Sequence, residues 1–322
     1  MKLAAIDIGS NSIKLVVVDA AASDSFDVLA RKREVVRLGH ETLLKGYISR
    51  EAIRRTAKCL RRLRSVADAR GAESIVAIAT ASVREANNSA RFVRAMEKKT
   101  GVRVSVLSGA EEARLIGLAA SQGCATKGMT TLNIDIGGGS TEISAFRNGN
   151  PITLLSMKLG AVGLTERFLI SDPPQPKQLD QLRSEILKEL EGPVRELHEH
   201  DWDAVTGTSG TILAVQAALR LQSTGGNGGS DQAAVIKLND LTQLNAMLAV
   251  MNITQRRHFA GLSTRRAEII LAGAKVLEET MRALSIGSLR TCTWSLREGV
   301  IIDHLQKTGV KSLSAVFGLA GE

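Results

Sequence analysis

Asn133-Ile134-Asp135-Ile136-Gly137-Gly138-Gly139-Ser140-Thr141-Glu142 decides how the rest of the chain is read. An apolar run over 130–136 carries one carboxylate, Asp135, next to its end. Three glycines and two hydroxyl residues follow, then a second strand-like run over 142–146. The pattern predicts strand, tight turn, strand. Glycines let the backbone reach positive φ and approach a ligand with no Cβ in the way. Successive N–H groups in such a turn form a concave nest for phosphate oxygens. Taken alone, the stretch reads better as a plain hairpin with a glycine-rich turn.

It does not stand alone. Ala4-Ala5-Ile6-Asp7-Ile8-Gly9-Ser10-Asn11-Ser12 has the same build and runs into a second apolar stretch over 13–18. Two copies of strand–Asp–glycine turn–strand predict two related domains facing each other across a cleft. Each would offer a phosphate loop, one from Gly9, Ser10, Asn11 and Ser12, the other from Gly137, Gly138, Gly139, Ser140 and Thr141. A third turn, Gly207-Thr208-Ser209-Gly210-Thr211, follows a short strand over 204–206 and opens a helix. A helix N-terminus presents free N–H groups, which suit anions.

A length of 322 residues suits two domains. Aromatics make up only 3%, so the core must be built from Leu, Ile, Val and Ala. A net charge of +9 argues for an anionic partner, whether polyphosphate, nucleotide, nucleic acid or membrane surface, without choosing among them. Cys59, Cys124 and Cys292 match no metal or redox spacing and read as reduced thiols of a cytosolic protein. The N-terminal apolar run is broken by Asp7 and belongs to a strand, not a signal peptide. No apolar run is long enough to span a membrane.

Other positions carry chemistry by placement. Arg84 follows a buried strand over 74–79, where α/β folds put ligand contacts. Its guanidinium fits a phosphate, and equally a surface ion pair with Glu85. Ser108-Gly109 opens a helix holding Glu111 and Glu112 side by side. Neighbours on a helix point about 100° apart, so the two cannot share a role. Glu112 lies on the inward stripe with Leu115, Ile116 and Ala119, whereas Glu111 sits three before Arg114, a surface-pair spacing. Either carboxylate also complements the helix dipole. Ser49 caps a long helix reaching about Gly71, crowded with arginines that read as a solvated face. Residues 223–230 read as a flexible loop. Helices are expected over 240–251 and 264–286, with Arg256-Arg257-His258 and Arg265-Arg266 as a candidate anion track.

Five stretches in order carry a resemblance: Ile6-Asp7-Ile8-Gly9-Ser10-Asn11-Ser12, Ser108-Gly109-Ala110-Glu111-Glu112-Ala113-Arg114-Leu115-Ile116, Asp135-Ile136-Gly137-Gly138-Gly139-Ser140-Thr141-Glu142, Gly207-Thr208-Ser209-Gly210-Thr211 and Leu296-Arg297-Glu298-Gly299. The chain resembles the Ppx/GppA family of exopolyphosphatases and guanosine pentaphosphate phosphohydrolases from residue 3 to about 305. The resemblance implies an α/β fold of two actin-like (sugar kinase/Hsp70, ribonuclease H-like) domains flanking a cleft. They are expected over 1–124 and 125–304, with 305–322 packing back on the first. It implies Glu112 as general base, Arg84 as a phosphate-binding arginine, and Asp135 as ligand of Mg²⁺ or another divalent cation. Asp7 and Glu142 are further metal candidates. Trp294-Ser295 departs from the family, which usually has Gly or Ala before Leu-Arg-Glu-Gly.

The expected activity is removal of the terminal phosphate of inorganic polyphosphate, with short chains preferred because the chain stops at 322. The rival is hydrolysis of guanosine pentaphosphate (pppGpp) by the same residues. An actin-fold kinase and a non-catalytic polyphosphate or alarmone sensor stand further off. A cytoplasmic homodimer is expected, with no nucleic-acid or membrane partner.

Overall fold

The hairpin expected around Gly9 is built from β1 (Lys2–Ile8) and β2 (Ser12–Asp19), joined antiparallel in continuous register. β3 (Asp27–Val35) continues the antiparallel run on the far side of β2. β4 (Ser74–Ala79) and β5 (Val104–Val106) extend the other side in parallel, giving the order β3-β2-β1-β4-β5. Parallel neighbours need crossovers, here the helices Arg50–Ala69 and Ser89–Thr100. The protein is seen in a computed structural model that describes residues 1–20, 26–40, 42–124, 128–223 and 235–308. The expected flexible loop over 223–230 lies outside the described residues from 224 on, as does the segment after 308.

Ser49 caps the helix Arg50–Ala69, its Oγ accepting from Ala52 N at 3.1 Å. Ile53, Ala57, Leu60 and Leu63 are its buried stripe. Its arginines face outward and are engaged: Arg55 with Glu51 at 2.7 Å, Arg62 with Glu34, Arg64 with Thr100 O at 2.8 Å. That is the ordinary solvated face expected of them. Cys59 is a free, buried thiol, pushed up to about 12 by burial and then by Glu34. Cys124 and Cys292 are disulfide-bonded, against the expectation of reduced thiols.

The second sheet repeats the first. β6 (Thr130–Ile136), β7 (Thr141–Arg147) and β8 (Asn150–Met157) form the antiparallel run, and β9 (Ala204–Thr208) joins β6 in parallel. β10 (Val235–Lys237) and β11 (Ser288–Thr291) complete the order β10-β11-β9-β6-β7-β8. β10, unforeseen in the sequence, adds an antiparallel edge. The helix expected over 264–286 breaks at Glu268–Ile269 into Thr264–Ala267 and Ile270–Ala283. The latter is buried along most of its length and packs on the helices Ala161–Phe168, Pro176–Leu197, Ser209–Ser223 and Leu238–Val250. Over 256–258, part of the candidate anion track, each side chain has a partner within the protein. Buried Arg256 reaches Asp172 at 3.0 Å, Arg257 pairs with Glu268 at 3.1 Å, and His258 Nδ1 lies 2.8 Å from Thr254 O.

Two compact units result: Met1–Ala125 together with the chain from Trp294 on, and Thr126–Thr293. The final helix, Leu296–Lys307, therefore belongs to the first unit from its start, not to residues 125–304 as expected. The reason is local packing against the helix Gly109–Gly123 and β1. Gly299 lies so close to the Leu115 carbonyl that any Cβ would overlap it. Arg114 bridges Glu111 and Asp303, each at 2.7 Å. Burial opposes the Asp303 charge, yet hydrogen bonds from Lys307 and Arg114 hold its carboxyl below the ordinary range. Trp294 stacks with Phe26 at 5.8 Å and covers Gly123, where a Cβ would fall 2.8 Å from its ring. The departure at Trp294 thus serves packing within this unit. Gly299→Ala should destabilise the fold by about 1–3 kcal/mol, the cost of overpacking. Chemical denaturation measures this, and a change within experimental error would contradict the close contact.

Candidate active site

In the first unit, β4 ends at Ala79 and a single helical turn, Ala81–Arg84, follows. It aims Arg84 at the start of the helix Gly109–Gly123. Arg84 Nη1 donates to Glu112 Oε2 at 2.7 Å and to Leu107 O at 3.1 Å, and its Nε lies 3.4 Å from Glu85. Of the two readings of Arg84, the ion pair with Glu85 is present, and the same guanidinium also reaches inward to Glu112. Ser108 caps the helix by accepting from Glu111 N at 3.2 Å, which fixes the direction of both glutamates. Glu112 is 6% exposed, whereas Glu111 turns out to Arg114. One residue of helix rotation separates a buried carboxylate held by a guanidinium from a surface ion pair.

The loop Gly9–Ser12 closes on itself through Gly9 N to Ser12 O at 3.2 Å. The chain leaving β3 braces it. Val36 N and Arg37 N donate to Asn11 O at 3.2 and 3.0 Å, and Gly39 N to Ser10 O at 2.6 Å. Arg33 Nε donates to Ser12 Oγ at 3.3 Å. Asp7 is buried and sits opposite Lys14 in register, 3.4 Å from its Nζ.

In the second unit, Asp135 is 5% exposed and Glu142 1%. A row of register partners crosses four strands: Thr208, Asp135, Glu142, Ser156. Thr208 Oγ1 donates to Asp135 Oδ2 at 2.6 Å and Ser156 Oγ to Glu142 Oε1 at 2.8 Å. Behind Thr208, Asn133 Nδ2 donates to its hydroxyl at 3.2 Å, and Asn133 Oδ1 accepts from Thr206 at 2.9 Å. This chain fixes the Asp135 rotamer. Like charges directly opposite on a sheet are costly, and two buried carboxylates of hard oxygen suit a divalent cation. Among the described residues no group of three or more acidic, His or Cys side chains converges. An ion here would take its other ligands from neutral oxygens, water and substrate, as Mg²⁺ does.

The loop over 137–140 is closed by Gly137 N to Ser140 O at 2.9 Å. The helix Ala161–Phe168 braces it, with Ala161 N and Val162 N donating to Gly137 O and Gly138 O at 3.0 and 2.9 Å. Gly160 lies against Gly139, and a Cβ there would strike its backbone.

The third turn is shorter than expected. Gly207 and Thr208 belong to β9, where Gly207 pairs with Ile134 and packs against Leu289 and Ile212. Gly207 is thus a packing glycine of a central strand, and Thr208 orients Asp135. The turn itself is Ser209, at φ 90°, whose Oγ accepts from Thr211 N and Ile212 N. Gly210 carries the Arg266 guanidinium against its Cα, and Arg266 Nη1 donates to Thr211 Oγ1 at 3.3 Å.

Lys14, and Thr208 as orienting residue, were not singled out by sequence, and Arg266 only as part of the candidate anion track. For Lys14 a signal exists. Lys14 follows Asp7 at the same spacing as Glu142 follows Asp135, so the echo that pairs the two hairpins also sets a lysine against a glutamate.

A model of the Ppx/GppA phosphatase family matches residues 16–308. Exopolyphosphatase 1 of Mycobacterium leprae is 34% identical over 307 residues, covering 95% of this chain and 90% of that protein. Exopolyphosphatase 1 of Mycobacterium tuberculosis is 34% identical over 306 residues, covering 95% and 88%. Among solved structures, the Aquifex aeolicus Ppx/GppA family member superposes with a TM-score of 0.78 at 25% identity, covering 96% of this chain and 99% of that one. An exopolyphosphatase from Cytophaga hutchinsonii superposes with a TM-score of 0.87 at 24% identity, covering 97% and 100%, and shows the shared fold. The architecture is the two-domain actin-like (sugar kinase/Hsp70 type) fold.

Proposed function

The chain belongs to the Ppx/GppA phosphatase family, and from that premise we propose that it is an exopolyphosphatase acting on the terminal phosphate of inorganic polyphosphate. The observation that carries the reading is the Glu112–Arg84 pair: a buried carboxylate at a helix start, held by a guanidinium at 2.7 Å. Phosphoryl transfer asks a protein for positioning and charge neutralisation more than for covalent chemistry. Glu112 takes the proton of the attacking water. Arg84 orients Glu112 and presents its guanidinium to phosphate oxygens. The glycine loops at Gly9–Ser12 and 137–141 offer backbone N–H groups. Asp135 and Glu142 fit Mg²⁺, which when bound would neutralise charge on the transferring phosphoryl group. Asp7, opposed by Lys14, fits a cation less well.

Phosphate release from polyphosphate and from pppGpp, measured side by side in Mg²⁺, tests the reading. Release from pppGpp alone would replace it with the guanosine pentaphosphate activity, and release from neither would refute both.

A charge of +9 leads to a second expectation. Binding a polyanion releases its condensed counterions, as it does for nucleic acids. Apparent affinity for polyphosphate should therefore fall steeply and log-linearly with added salt. A flat dependence would show that surface charge plays no part in capture.

A further inference from the structure

The second unit carries a buried polar row that the first unit lacks at the matching positions. Two residues before Asp7, β1 has Ala5, and opposite these two β4 has Val76 and Ile78. Two residues before Asp135, β6 has Asn133, and opposite these two β9 has Thr206 and Thr208. Asn133 and Thr206 are 2% exposed and Thr208 0%. Asn is disfavoured within strands, and a buried amide or hydroxyl costs free energy unless it is hydrogen-bonded. Apolar side chains fill the same row in the first unit, so the fold does not demand polar ones.

The direction of every proton in the row follows from Asp135. A carboxylate that holds a cation is deprotonated and only accepts. Thr208 Oγ1, 2.6 Å from Asp135 Oδ2, must therefore donate to it. A hydroxyl has one proton, so towards Asn133, at 3.2 Å, Thr208 can only accept. That fixes the Asn133 amide, with Nδ2 to Thr208 and Oδ1 to Thr206. Thr206 in turn donates to Asn133 Oδ1 at 2.9 Å, closer than its other acceptor, Leu132 O, at 3.4 Å. Three donors in series point at one carboxylate, and bonds in such a chain polarise one another. Ser144, opposite Asn133 on β7, stays out of the row, its Oγ having no hydrogen-bond partner among the described residues.

We infer that Asn133 is a positioning residue for the divalent cation. It acts through Thr208, whose proton it directs onto Asp135, and so holds that carboxylate in place as a ligand. The inference rests on the reading of Asp135 as a cation ligand and adds to it a residue that would otherwise count as core.

Mn²⁺ binding without substrate, followed by electron paramagnetic resonance, tests it in four variants. Thr208→Val removes the proton, and affinity should fall about 10–100-fold, the usual cost of losing a group that orients a metal ligand. Thr208→Ser keeps the hydroxyl and should stay within about two-fold of wild type, since the orienting bond survives. Asn133→Val should cost about ten-fold, at the low end of the same range; Thr206 can then donate to Leu132 O. The double variant Asn133→Val, Thr208→Val should bind within about two-fold of Thr208→Val alone, because a residue acting through another adds nothing once that other is gone. Stability in EDTA should move differently. Thr208→Val strands the Asn133 amide without its acceptor, whereas the double variant replaces both partners by apolar groups and recovers stability. Affinity losses that multiply in the double variant, an Asn133→Val that binds as wild type does, or affinity that recovers together with stability overturns the inference. So does a wild type that binds no Mn²⁺. Phosphate release from polyphosphate by the wild type is scored separately. If it is absent while the affinities keep the expected order, the activity reading fails and Asn133 keeps its role.

Discussion

Glu112→Gln should lower phosphate release from polyphosphate by about 10²–10⁴-fold, the usual cost of losing a general base. The amide keeps the shape of the side chain and leaves Arg84 an oxygen to donate to, so the 2.7 Å contact has a neutral counterpart. It removes the acceptor charge that, in the proposed role, would take the proton from water. Polyphosphate binding should survive or tighten, because one buried negative charge has gone. Glu111→Gln is the control. It lies in the same turn and undergoes the same chemical change, but it faces Arg114, which also donates to Asp303, on the surface of the first unit. Its activity should stay near wild type, with a small loss of stability from the Arg114 bridge. Single-turnover rates with direct binding measurements separate the two variants. A dead Glu111→Gln, or near-normal turnover in Glu112→Gln, would place water activation elsewhere.

The direction of these two glutamates was legible in sequence because helix periodicity leaves one choice once the inward stripe of Leu115, Ile116 and Ala119 is known. The hairpins about Gly9 and Gly137 were legible for the same kind of reason: an apolar run interrupted by glycine has few local alternatives. Contacts made across long sequence separation were less visible. That the last helix packs on Gly109–Gly123 depends on Gly299 meeting the backbone of Leu115, and nothing near Gly299 announces a partner so far away. That Arg256 is structural depends on Asp172. Strand length misled at Gly207, where a glycine followed by hydroxyl residues reads as a turn but continues β9, because a missing side chain there makes room for Leu289 and Ile212. The hydrogen-bond chain from Thr206 through Asn133 and Thr208 to Asp135 required the parallel register of β6 and β9, which sequence does not set.

Asp135→Asn should reduce phosphate release by roughly 10³-fold, since metal stabilisation of a phosphoryl transition state supplies several kcal/mol. The loss should differ in kind from that of Glu112→Gln. Thr208 can still donate to the Asn oxygen, so the row of register partners stays in place and the sheet keeps its stability. What changes is the charge facing Glu142. One carboxylate in place of two binds a divalent cation poorly, so the Mg²⁺ concentration for half-maximal activity should rise, whereas Glu112→Gln should leave it alone. Mn²⁺ binding followed by electron paramagnetic resonance gives the same comparison without turnover. The first unit supplies the counterpart. Asp7 occupies the matching position on β1, but Lys14 stands where Glu142 stands on β7, 3.4 Å from the carboxylate. A position already neutralised by an ammonium has little to offer a cation, so Asp7→Asn should leave Mn²⁺ affinity within about two-fold, a hard cation being held by carboxylates left to it. If Asp7→Asn abolishes metal binding while Asp135→Asn preserves it, the two hairpins carry the opposite roles, and the pairing of Asp135 with Glu142 has another purpose.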